Sequence, residues 1–170
     1  MGVMGIIRKY RKEILIVAAL AILLNILMEF VPFATPATKA DLYSPMLMVI
    51  AVIALMLPGI AAIPGGYLIA KKTKEQNPAI IGPALGAALA GVLIIVWGIG
   101  GIMLASDAEI QAEMDKTKII GVDFFDEMSV SEFRSFTLTS SIIGLVFLII
   151  INSALGAAGG YIGRAIAMRK

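Results

Sequence analysis

The stretch Ala79–Ala105, AIIGPALGAALAGVLIIVWGIGGIMLA, decides the fold, and no charged residue occurs between Glu75 and Asp107. A helix needs roughly 20 apolar residues to cross about 30 Å of hydrocarbon, and this run exceeds that. It lacks the sustained apolar/polar alternation of a membrane-barrel strand. Lipid also requires that backbone groups be satisfied within the segment, which a helix achieves.

Working outward, charge-free gaps recur from Asp41 to Lys71 and from Arg134 to Arg164, with a shorter one from Glu13 to Glu29. The spans expected from them are approximately 14–31, 45–70, 79–105 and 137–163. The first is long enough only if it continues through Phe30 to Phe33. The expected fold class is therefore all-α: a single membrane domain over 1–170, an integral membrane four-helix bundle of two hairpins. The first hairpin is joined by Pro32–Ser44. The second is joined by Ser106–Phe136, an acidic insert expected to form an extracytoplasmic loop with short helices.

Composition excludes the alternatives. Of the 170 residues 59% are apolar and 15% charged, with a mean hydropathy of +0.95. Ordinary soluble domains sit near 45–50% apolar and about 25% charged. A water-soluble globule, a disordered chain and a nucleic-acid-binding protein are all disfavoured. The chain has no cysteine and no histidine, which removes disulfides, thiolate metal sites and the commonest general base and metal ligand.

Lys and Arg near span ends set orientation. One side receives Arg8, Lys9, Arg11 and Lys12, then Lys71, Lys72 and Lys74, then Arg164, Arg169 and Lys170, whereas the other receives only Lys39, Lys116, Lys118 and Arg134. Both termini are expected in the cytoplasm (N-in/C-in) of a multi-pass cell-membrane protein. A basic stretch before an apolar run also describes a signal peptide. The nearest approximation to a cleavage site, Thr35-Pro36-Ala37, has a proline at its centre, so the first span is expected to be retained.

Small residues recur at helical spacing: Gly82 with Gly86, Ala87 with Gly91, Gly156 with Gly160, and Gly159 with Gly163. In lipid, helices associate where small residues permit close approach, so these positions are candidate packing faces, within one subunit or between subunits. If Gly156, Gly160 and Gly163 carry an intersubunit face, leucine there should abolish association. Pro58 and Pro64 are candidate kinks in the second span; a broken helix of the kind transporters use for ions is the alternative. A shift of 94 places Gly65-Gly66-Tyr67-Leu68 over Gly159-Gly160-Tyr161-Ile162, as a duplicated hairpin would.

Polar groups inside the spans are few. Glu29, with Asn25 one turn before it on the same face, reads either as an interfacial carboxylate or as a buried proton or cation site. Asn152 reads as an interhelical hydrogen bond rather than a ligand. Segment 106–136 carries Asp107, Glu109, Glu113, Asp115, Asp123, Asp126, Glu127 and Glu132 against Lys116, Lys118 and Arg134. No spacing there matches a calcium loop. Asp107 to Lys118 reads as a short polar helix. Phe124, Phe125, Met128, Phe133 and Phe136 lie among charges beyond it, as in a cap or a partner-facing surface. Gly156-Ala157-Ala158-Gly159-Gly160 lacks nucleotide-loop spacing, and no nucleophile, base and acid constellation stands out. No catalytic residue, metal or cofactor is expected.

The segment Gly65-Gly66-Tyr67-Leu68-Ile69-Ala70 before lysines, with Gly82-Pro83-Ala84-Leu85-Gly86-Ala87-Ala88-Leu89-Ala90-Gly91 and the echo Gly159-Gly160-Tyr161, resembles an archaeal domain-of-unknown-function family of small glycine-rich four-helix membrane proteins. The resemblance covers the second to fourth spans, and the acidic insert departs from it. It implies the membrane architecture and no activity.

The expected function is a non-enzymatic membrane protein working through helix–helix association, as an accessory subunit or homo-oligomer in contact with the lipid bilayer. A small ion or proton channel or transporter is the alternative, resting on Glu29 and the proline-rich second span. A third reading takes the basic rim Arg8-Lys9-Tyr10-Arg11-Lys12 as a surface for anionic lipid.

Overall fold

The computed structural model describes residues 2–29, 45–119 and 127–169, without the side chains of 28, 29, 45–48, 51, 118 and 119. Among the described residues the chain is wholly helical: α1 (Val3–Glu29), α2 (Pro45–Lys72), α3 (Gln76–Leu104), α4 (Asp107–Ile119) and α5 (Val130–Met168). Among the described residues three helices are long and apolar enough to cross a bilayer: Val52–Lys72 of α2, Gln76–Leu104 and Val130–Met168. The segment α1 does not meet that measure. Its first half carries Arg8, Lys9, Arg11, Lys12 and Glu13, and the charge-free remainder, Ile14–Met28, is short.

Three helix starts differ from those read in the sequence, and the last helix also ends at Met168 rather than Gly163. The first helix begins at Val3 rather than near Ile14, because Ile6, Tyr10, Glu13, Ile14 and Val17 form one buried stripe at helical spacing that carries the basic segment along with it. The helix bends within that stripe at Tyr10, whose backbone (φ −116°, ψ 24°) is not helical. The last helix begins at Val130 rather than Thr137. There Ser129 and Glu132 form a reciprocal capping box: the Glu132 carboxylate accepts from the Ser129 backbone N–H (2.8 Å) and hydroxyl (2.6 Å). At 39 residues, α5 is about 58 Å long, well beyond a hydrocarbon core. The third is α3, which begins at Gln76 and so includes the polar turn before Ala79. Helix α2 runs without interruption through Pro58 and Pro64.

The helices α1, α2 and α3 pack on one another, and α5 lies broadly against both α2 and α3. Ile6 and Tyr10 of α1, Ile69 and Ala70 of α2, Ala79 of α3 and Ala167 of α5 meet in one cluster. The chain ends that carry the basic residues therefore share one end of the molecule. The opposite, acidic end carries α4, held on the start of α5 by Ile110, Met114 and Phe133 with Ile102, Ala105 and Val130. Between the two ends the outward faces are apolar: Leu15, Ile16 and Leu23 on α1, Val52, Met56 and Ile60 on α2, Ile143, Val146, Phe147 and Ile150 on α5. Such faces suit lipid rather than water.

Candidate functional site

Towards the basic end, α5 meets α2 and α3 through backbone. A Cβ on Gly159 would collide with the carbonyl of Gly59 and come within 2.9 Å of the Ala62 Cβ; one on Gly163 would collide with the Ile63 carbonyl. Gly156 faces Ala87 and the Pro83 carbonyl, and a Cβ on Gly160 would come 2.7 Å from the Ala79 carbonyl oxygen. On α3, Gly82 makes room for Ile69, and Gly86 for Val17 and the Ile14 carbonyl. Side-chain-free surfaces bring the helices close enough to gain van der Waals contact that lipid cannot match. The two copies of the internal echo also meet: a Cβ on Gly66 would collide with Gly160, the residue 94 positions later.

Asn152 is 6% exposed and lies over Gly91, where a Cβ would come 2.5 Å from its amide nitrogen. Gly91 thus serves a polar side chain rather than another small residue. Asn25 donates from Nδ2 to the Ala21 carbonyl of its own helix (2.9 Å), and Ser153 to that of Ile149 (2.6 Å), both satisfied locally. The side chain of Glu29, the loop Pro32–Ser44, Phe124 and Phe125 lie outside the described residues.

Glu13, at only 4% exposure, is the one buried carboxylate among the described residues, and it is paired with Lys72 of α2. Burial pushes its carboxyl up. The Lys72 hydrogen bond and charge, helped by Lys12, outweigh that and hold it below the usual glutamate range. The pair fastens the bent start of α1 to the end of α2. Sequence reading passed over Glu13 because a carboxylate among cations looks like a solvated one. Its spacing from Ile6, Tyr10 and Val17 on the buried stripe was the available signal.

The acidic half is more open. Among the described residues no atom lies within reach of a Cβ added to Gly98, Gly100 or Gly101 on α3 or to Gly144 on α5. Between α1 and α3 a groove of about 600 Å³ is lined by Ile22, Asn25, Ile26, Leu93, Ile94 and Trp97. Trp97 is 85% exposed and Leu104 89%. Beyond it the polar cap is built in detail. Glu109 accepts from the Ser106 backbone N–H (2.7 Å) and hydroxyl (2.8 Å), and Arg134 donates to the Ala105 carbonyl (2.9 Å) and to Asp107 (2.8 Å). The backbone hydrogen bond from Ser106 foremost holds the Glu109 carboxyl below its usual range, and the Ser129 hydroxyl foremost does so for Glu132. Phe133 is spent inside this cap, on the cluster that holds α4. The Ser-x-x-Glu spacing at 106–109 and 129–132 was the signal for both caps.

The geometry thus offers a closed glycine seam at the basic end and, towards the acidic end, an apolar groove with one amide in its wall that no other described residue fills. Comparison with protein-family models, with curated proteins and with solved structures gives no match, so the resemblance to the archaeal family rests on the residues quoted for it.

Proposed function

We propose that the chain is a non-enzymatic, multi-pass cell-membrane protein that acts by helix–helix association, as a homo-oligomer or as an accessory subunit of another membrane protein. In this reading α1 is the fourth span, the helices form two hairpins, and both termini are cytoplasmic with the cap outside. The observation that carries it is the contrast among the glycines of α3. Those towards the basic end are occupied by the chain's own helices, while among the described residues no atom faces Gly98, Gly100 or Gly101, which flank the α1–α3 groove. Each helical glycine costs about 1 kcal/mol relative to alanine, a cost that a closely approaching partner helix offsets. Association is thereby assigned to the acidic half of α3 rather than to Gly156, Gly160 and Gly163.

Since the chain has no cysteine, an introduced thiol is the only one present. Val96→Cys should give a disulfide-linked product in native membranes under mild oxidation. Adding Gly98→Leu and Gly101→Leu should abolish that product while leaving the monomer folded. Undiminished cross-linking in the double-leucine variant refutes the assignment.

The second reading, an ion or proton channel or transporter, draws on Asn25 in the groove wall one turn before Glu29. It requires flux in proteoliposomes that falls in Glu29→Gln.

A further inference from the structure

Among the described residues two buried side-chain polar atoms lack a hydrogen-bond partner, the Tyr10 hydroxyl and Arg164 Nε. Buried polar groups are nearly always paired, and an orphan calls for a missing water or ion. These two belong to one neighbourhood. Tyr10, 1% exposed, packs with Ala79 in the first turns of α3, and the same cluster takes Ala167 of α5. Gly160, one turn before Arg164, lies against the Ala79 carbonyl. Residues 160, 164 and 167 share a helix face, so Arg164 lies on the side of α5 turned to the junction of α1 and α3. At that junction α3 starts at Glu75 with no side-chain cap, leaving first-turn N–H groups that favour an anion.

All of these unsatisfied groups are donors. The surrounding charge is of the complementary sign: Arg8, Lys9, Arg11 and Lys12 make no ion pair among the described residues, and Lys72 is taken by Glu13. Lys9 Nζ stands 5.4 Å from the centre of the Tyr10 ring. An acceptor bearing negative charge suits this set better than water. The junction lies where the apolar faces give way to the basic end, the depth of a headgroup.

We propose that an anionic phospholipid headgroup seats at the basic end where α1, the start of α3 and the end of α5 meet, its phosphate accepting from Arg164 and from the Tyr10 hydroxyl. The site does not depend on the association reading.

The test titrates the full chain in mild detergent with phosphatidylglycerol and, separately, phosphatidylcholine, following bound lipid by native mass spectrometry. Phosphatidylglycerol should bind about tenfold more tightly. Arg164→Gln should remove about tenfold of that affinity, as expected for losing a charge-assisted hydrogen bond. Tyr10→Phe, which keeps the packed ring, should remove about threefold. Arg169→Gln, which deletes the same charge elsewhere, should change it by less than about twofold. Should Arg164→Gln not fold, Arg164→Lys keeps charge and stem without the Nε donor, and a loss of about threefold is expected. Equal losses at Arg164 and Arg169 mean diffuse attraction to a basic surface and overturn the site, as does an unchanged preference in Tyr10→Phe. Displacement of the lipid by millimolar inorganic phosphate makes it a free-phosphate site and overturns the lipid assignment.

Discussion

The two halves of α3 use the same residue type to opposite ends. Towards the basic end Gly82, Gly86 and Gly91 each have a neighbour occupying the space a side chain would fill, and α5 presses Gly156, Gly159, Gly160 and Gly163 onto α2 and α3. Towards the acidic end Gly98, Gly100 and Gly101 touch nothing among the described residues, and the wall between α1 and α3 opens into a groove. Small residues therefore state only that close approach is possible. Whether it is used depends on where the next helix lies.

The sharpest way to break this comparison is to enlarge one glycine on each side. Gly159→Leu should destabilise the chain by about 3 kcal/mol or more, because its contact is a backbone carbonyl that cannot rotate away. Gly101→Leu should leave monomer stability unchanged or raised by up to about 1 kcal/mol through better helix propensity. Unfolding of both variants in detergent, followed by circular dichroism, measures the difference, and similar losses would erase the distinction between the halves.

A smaller effect is expected at the Glu13–Lys72 pair, which belongs to the closed half. Lys72→Met leaves a buried carboxylate without its partner and should cost about 1–3 kcal/mol at neutral pH, while Lys72→Arg should cost much less. Glu13 titrates below its ordinary value of 4.5 in the folded chain. The pair therefore stabilises fully above that value and is lost as the pH falls through the lowered one. The penalty of Lys72→Met should shrink correspondingly in acid, and a pH-independent penalty would mean that packing rather than charge fastens α1.

The smallest effect belongs to the acidic end. Glu109 and Glu132 are held below 4.5 by their serines, so the caps they complete persist above that value and loosen beneath it. Amide hydrogen exchange in α4 and the first turn of α5 should accelerate as the pH falls through the lowered values of these two carboxyls while the glycine seam stays protected. Equal acceleration in both regions would show that the cap and the seam unfold together.

The sequence alone determined that this chain is helical and apolar enough to cross a membrane, and that its charges are segregated between the segment ends, although it read four spans where three of the described helices meet the measure. Those conclusions rest on hydropathy and charge, which each segment carries by itself and which need no knowledge of its neighbours. The two capping boxes left a local signal, serine and glutamate three residues apart within one turn, which the reading by hydropathy passed over. Tertiary structure alone decided which glycines are occupied, that Asn152 sits over Gly91, that Glu13 is buried against Lys72, and that Tyr10 packs with Ala79 and Ala167. Each is a relation between helices distant in sequence, whose separation is set by how their faces interlock. A glycine, an asparagine or a tyrosine reads the same whether its partner lies 3 Å away or is absent.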